Sequence, residues 1–174
     1  KDANIVAAES SIKLEAGGFP GSAVGAAVQC IFAAYDIPNT RIDGFDIVVN
    51  KPKSAAYRAP GSPQAAFATE TVSDELARIH GMDPIDFRLQ NASKEGTRRA
   101  DGVVFPKVGN VEVLEAAKKS DHWNSDLGTP AKGRVRGRGV ASGYWFNVGL
   151  KSTVNLSVNS DGSVVLVEGS SDIG

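Results

Sequence analysis

Ser62-Pro63 followed by apolar residues at Ala65, Ala68, Val72, Leu76 and Ile79, and then by Gly81, constrains the fold more than any other feature. Proline lacks the N–H that a first-turn residue leaves unbonded anyway, so Ser62 is expected as N-cap and Pro63 as the first helical residue. Spacings of three and four place the five apolar side chains on one stripe, and Gly81 supplies the positive φ on which helices commonly stop. A helix with one apolar stripe needs other elements to cover it.

Those elements flank it. Between Ala3 and Ala16 apolar and polar residues partly alternate, with Ile12, Leu14 and Ala16 on one face and Lys13 and Glu15 on the other, as in a half-buried strand. Gly17-Gly18-Phe19-Pro20-Gly21 breaks it, and Ser22 is placed to cap a helix that buries Ala23, Ala26, Ala27, Cys30, Ile31 and Ala34. Arg41 to Val49 returns to a strand pattern, and Lys51 to Gly61 reads as a loop.

Asp83-Pro84-Ile85-Asp86 predicts a short helix ending near Asn91, with Asp83 as cap and Asp86 answering it. Asn110 to Ser120 predicts an amphipathic helix with Val113, Leu114 and Ala117 inward, and Asp121 to Gly133 reads as a linker. Val135 to Phe146, Ser152 to Val158 and Ser163 to Glu168 are strand-like, with a hairpin turn at Asn159-Ser160-Asp161-Gly162. The order of elements makes the fold class α+β.

With 41% hydrophobic and 22% charged residues in 174, the chain can bury a core, and a net charge of -1 offers no general attraction for nucleic acid or an anionic membrane. The apolar stretch from Ala23 to Tyr35 is too short for a bilayer and is interrupted by Gln29. The lone cysteine, Cys30, forms no intrachain disulfide and fits a reducing compartment, so the cytoplasm is expected. The first residue is Lys1 and the sequence stops after an apolar run, from which an internal segment of a longer protein is expected.

Most polar groups have plain structural readings. Glu70, Asp74 and Arg78 at i,i+4 spacing predict an ion network on a helix surface. Arg134, Arg136 and Arg138 alternate without interleaved aromatics, predicting the charged face of a strand rather than an RNA surface. Gly137-Arg138-Gly139 lacks the continuation of a dinucleotide fingerprint, His80 and His122 lack partners at metal-ligand spacing, and Cys30 reads as a small buried residue.

Ala56-Tyr57-Arg58-Ala59-Pro60-Gly61-Ser62-Pro63-Gln64 resembles the aromatic-Arg-small-x-Gly-x-Pro-Gln segment of the large subunit of the xanthine dehydrogenase and aldehyde oxidase family. Asp74-Glu75-Leu76-Ala77, Gly81-Met82-Asp83-Pro84 and Arg88-Leu89-Gln90-Asn91 continue the resemblance in order and spacing. Ile37-Pro38-Asn39 upstream, and Arg136-Gly137-Arg138-Gly139-Val140-Ala141 and Glu168 to Gly174 downstream, extend it over nearly the whole chain.

The resemblance implies a piece of the two-lobed molybdopterin-binding fold, with mixed sheets and helices packed on one side, residues 1–125 ending the first lobe and 126–174 beginning the second. It implies a molybdopterin cofactor in the parent protein, Arg58 and Ala59 as cofactor contacts, and Pro60 at the substrate, where purine-oxidising members carry phenylalanine. The implied reaction is oxidative hydroxylation of an aldehyde or N-heterocycle. The implied partners are the rest of the large subunit and iron–sulfur and FAD subunits or domains. The catalytic glutamate and first glycine-rich cofactor loop of the family have no counterpart in this chain, which is therefore expected to bind no cofactor and turn nothing over alone. A non-catalytic structural or binding module, or one piece of a split-subunit assembly, is the alternative.

Overall fold

In the computed structural model, which describes residues 2–146 and 151–170, strand β1 (Ala8–Gly17) runs parallel to β2 (Thr40–Val48), Ile12 lying opposite Gly44. Parallel neighbours require a crossover, and helix α1 (Val24–Cys30) provides it. A Cβ at Gly44 would lie 2.6 Å from Val28 Cγ1 and 3.1 Å from Val24 Cγ2, so α1 seats against the sheet at that glycine. Ile12 and Leu14 pack inward with Ala27, Cys30 and Ile31, while Glu9, Lys13 and Glu15 face out, as the alternation predicts.

The strand begins at Ala8 rather than Ala3 because side-chain amides capture the residues before it. Asn91 donates from Nδ2 to Ala3 O at 3.0 Å and accepts at Oδ1 from Ile5 N at 2.7 Å, and Gln90 Nε2 donates to Asp2 O at 2.7 Å. Helix α1 is shorter than expected. Ala23 is its N-cap, with Ser22 Oγ accepting from Val24 N at 3.3 Å, and after Cys30 the chain tightens into i to i+3 turns.

Helix α2 (Ser62–Ile79) starts one residue before the expected boundary, with Gly61 as N-cap and Gln64 Oε1 accepting from Gly61 N at 3.1 Å. It ends before Gly81, at φ +64. Its inward face is Ser62, Ala65, Glu70, Ser73 and Ala77, whereas Val72 and Ile79, expected inside, are 54% and 75% exposed. A buried ion pair at Glu70 selects this face. The expected surface network is corrected accordingly: Glu70 and Asp74 pair with Arg88, and among the described residues Arg78 forms no ion pair.

Helix α3 (Pro84–Asn91) is capped by Asp83, whose Oδ1 accepts from Ile85 N at 2.8 Å and Asp86 N at 3.2 Å. Asp86 does not close a capping box and pairs with Lys118 instead. In helix α4 (Asn110–Lys119) Leu114 is buried and Ala117 and Val111 are partly buried, but Val113 is 68% exposed. Within the expected linker, Ser120 caps a single turn, α5 (Asp121–Asn124), by accepting at Oγ from Trp123 N at 3.1 Å.

Residues 135–146 form no strand. Arg136 donates to Leu127 O at 2.9 Å, and Arg138 donates to Trp123 O and, at 2.8 Å, to Ser125 O, so these side chains tie down a turn instead of lining a strand face. Beyond them, β3 (Val154–Val158) and β4 (Val164–Glu168) form the expected antiparallel hairpin, with Gly162 at φ +85 in its turn. The architecture is α+β, with one two-stranded sheet parallel, the other antiparallel, and α1 on one face of the parallel pair. Residues 171–174, the end of the downstream resemblance, lie outside the described residues.

Candidate functional site

The segment between β2 and α2 is fastened at both ends. At its start Ser54 N donates to Ala16 O at 2.9 Å, Ser54 Oγ to Glu15 O at 2.6 Å, and Lys53 Nζ to Gly21 O at 2.6 Å. Gly17, at φ +79, lies so close to Pro52 O that a Cβ there would clash with the backbone. At its end Gly61, at φ +92, is wedged against α1: a Cβ would stand 2.5 Å from Ala23 O and 2.8 Å from Ala27 N.

Between these ties the chain turns sharply. Arg58 and Ala59 have φ of 35° and 50°, two successive non-glycine residues in the left-handed region, where Cβ crowds the backbone. Ser62 N donates to Ala59 O at 3.1 Å and closes the turn. Such strain persists only where surrounding contacts enforce it.

The turn faces a cleft of about 670 Å³, within the range of small-molecule sites. Tyr57, Arg58 and Pro60 line it together with Gly21, Ser22 and Gln64. Ala59 contributes the twisted backbone between Arg58 and Pro60 without lining the cleft itself. Tyr57 is 90% exposed. Among the described residues Arg58 forms no ion pair, while Glu15 on the rim is held by Lys51 at 2.6 Å.

The Gly21–Ser22 part of the lining is ordered by Asp46, whose carboxylate accepts from Gly21 N at 2.6 Å and Ser22 N at 2.8 Å. The Ser22 hydroxyl, followed by these two N–H groups, holds the Asp46 carboxyl below its ordinary range.

Other candidate positions fall outside the cleft. Cys30 is buried beneath α2, its thiol pushed up by burial, as a small core residue would be. His80 and His122 are exposed, and among the described residues no group of acidic, histidine and cysteine side chains gathers as a metal site would. Among the same residues no helix is long and apolar enough to cross a membrane.

Sequence reasoning missed the polar cluster behind the site. Glu70 accepts from Tyr35 Oη at 2.5 Å, Arg88 Nε at 2.7 Å and Ser142 N at 2.6 Å. Its members come from four separate stretches of chain, so local periodicity carries no sign of it. The signal available was Arg88 itself, an arginine on a short helix within the recognised Arg-x-x-Asn pattern.

Residues 1–92 match the family model described as the molybdopterin cofactor-binding domain. The chain belongs to that family. It is 40% identical over 101 residues to the nicotinate dehydrogenase large molybdopterin subunit of Eubacterium barkeri, a match covering 58% of this chain and 24% of that protein. It is 36% identical over 176 residues to the aldehyde oxidoreductase of Megalodesulfovibrio gigas, covering 90% of this chain and 19% of that one.

The crystal structure of the aldehyde oxidoreductase from Desulfovibrio desulfuricans superposes with a TM-score of 0.66 at 28% identity, covering 94% of this chain and 19% of that chain. The chain therefore spans less than a quarter of the length of these relatives. The loop that carries Arg58 and Ala59 lies inside the matched residues 1–92.

Proposed function

We propose that this chain supplies one wall of a molybdopterin site in an oxidoreductase that hydroxylates a small aldehyde or N-heterocycle. The observation that carries the reading is the pair of left-handed, non-glycine residues Arg58 and Ala59, held at a cleft within the family-matched part of the chain. Strained backbone is found preferentially where a ligand is gripped.

The residues fit the cofactor. Arg58 is an exposed guanidinium with no ion pair among the described residues, and its planar fork of donors suits oxo and phosphate oxygens. Ala59 has the smallest side chain that keeps a Cβ, which lets the backbone approach a ligand closely. When bound, molybdopterin supplies the redox chemistry of hydroxylation, and the protein supplies binding and orientation. Arg58 would hold the cofactor's anionic groups, and Pro60, on the same wall, would meet the substrate.

Proline cannot stack as an aromatic residue does, so Pro60 argues against a purine substrate. The names of the relatives, aldehyde oxidoreductase and nicotinate dehydrogenase, accord with an aldehyde or a pyridine-type heterocycle. Residues 1–125 would complete one lobe and 126–174 begin the next, with the remaining lobes and iron–sulfur and FAD units in partner domains or subunits. The buried free thiol of Cys30 accords with a cytoplasmic setting.

Replacement of Arg58 by alanine in the full-length protein tests the proposal. Molybdenum content or turnover is expected to fall while the far-UV circular dichroism stays unchanged. Full cofactor content together with full turnover would remove Arg58 from the site.

A further inference from the structure

Ser62 and Glu70 lie on the buried side of α2, two turns apart, and both reach one strip of chain that has no strand partner. Ser62 Oγ donates to Tyr144 O at 2.6 Å, and Ser142 N donates to Glu70 Oε2 at 2.6 Å. The Glu70 carboxylate is fixed independently of the strip, by Tyr35 Oη and Arg88 Nε.

The strip has a third anchor in Tyr144. Its ring meets Phe105 edge-on at 5.6 Å and lies 5.2 Å from the Arg99 guanidinium, which also donates to the Tyr144 hydroxyl and is held by Asp101 at 2.5 Å. Irregular backbone next to a core stays in place only where its polar groups are paired, and here the pairing comes from α2.

Ser62 also faces the cleft loop through its backbone. Its N–H donates to Ala59 O while its hydroxyl donates to Tyr144 O, so one residue joins the left-handed turn to the strip. Ser62 is 8% exposed, and Tyr144 and Phe146 pack on the cluster of Ala27, Cys30, Ile31 and Ala65 around it.

We propose that Ser62 is a positioning residue for the Arg58–Gly61 loop, with Glu70 as the second anchor of the same clasp. Holding residues 142–144 over the first turns of α2 keeps Ala59 and Arg58 in their left-handed conformations. The clasp stands on these contacts, and only the identity of the ligand it serves rests on the molybdopterin reading.

The test is peptide-level hydrogen exchange on the full-length, cofactor-loaded protein and its Ser62→Ala variant. Loss of one buried hydrogen bond is expected to speed exchange about five- to tenfold in residues 54–61 and 140–146, with 66–79 unchanged and molybdopterin retention reduced. Uniform acceleration across all three stretches, or unchanged exchange in 54–61, would overturn the clasp. If Arg58→Ala keeps its molybdopterin while Ser62→Ala loosens only the loop and the strip, the ligand reading fails and the clasp stands.

Discussion

Arg88 Nε donates to Glu70 Oε2 at 2.7 Å in a place where the Arg88 side chain is 0% and the Glu70 side chain 7% exposed. Burial works against the Arg88 charge, and the negative groups around it more than offset this, raising its pKa. Removing Arg88 leaves the Glu70 charge buried and unmatched, which costs about 3–5 kcal/mol. Arg88→Met is expected to lose that much in urea unfolding, and Glu70→Ala less, because Asp74 still pairs with Arg88 at 2.7 Å. The double variant Glu70→Leu/Arg88→Met is expected to recover a large part, because no lone buried charge then remains and Asp74 is half-exposed to solvent.

Tyr35 gives the same cluster an alkaline limit. Burial first, then the Glu70 charge and the hydrogen bond to it, raises the phenol well above its ordinary value of 10.0. A group whose folded pKa lies above its unfolded one contributes stability that is complete below the unfolded value and declines as pH rises past it. Tyr35→Phe is expected to lose about 1–2 kcal/mol at neutral pH and to flatten the decline above about pH 10. Urea midpoints for both proteins across the alkaline range check this.

Gly61 and Gly81 both have positive φ, at 92° and 64°, but only Gly61 is crowded. An alanine Cβ at Gly61 would meet Ala23 O at 2.5 Å, whereas at Gly81 nothing lies within 4 Å. Gly81→Ala is expected to cost about 1 kcal/mol, the conformational term alone, and Gly61→Ala at least about twice that, since α1 and the cleft loop must part. Thermal melts of the two variants give the comparison.

The contrast between α2 and α3 shows what was legible in the sequence. Asp83 and Pro84 define the start of α3 by chemistry local to four residues, and the structure keeps it. The apolar stripe of α2 gave the helix its extent but not its orientation, because the buried face is chosen by Glu70, whose partners Tyr35, Arg88 and Ser142 are remote in sequence. Likewise Val135 to Phe146 has strand-like composition, but among the described residues no strand pairs with it, and side-chain anchors hold it instead. Of the candidate site, the loop and its residues were visible as a motif. The left-handed turn at Arg58 and Ala59 was not, since neither residue type favours it.

Asp46 makes the cleft wall sensitive to acid. Its folded pKa is depressed by Ser22 and Gly21, so its contribution is present above the ordinary carboxylate range and is lost as pH falls through the lowered value. The amide resonances of Gly21 and Ser22 are expected to move together on titration below about pH 4, and Asp46→Asn is expected to abolish that transition. A pH-independent pair of resonances in the unsubstituted protein would disconnect Asp46 from the turn.

The outward face of α2 carries Phe67, Val72 and Ile79 at 77%, 54% and 75% exposure, and beside it an apolar cleft of about 300 Å³ runs between Ala68, Val72 and Leu76 and the start of β1. Exposed apolar side chains of this kind drive association when nothing covers them. The 174-residue chain studied alone is therefore expected to self-associate as its concentration rises. Val72→Glu with Ile79→Lys places charges on that face without touching the buried one, and a lysine in the last turn also suits the helix dipole. Light scattering is expected to show the double variant monomeric at concentrations where the parent chain is not, with the two melting temperatures close. A parent chain that stays monomeric throughout would mean that this face alone does not drive association.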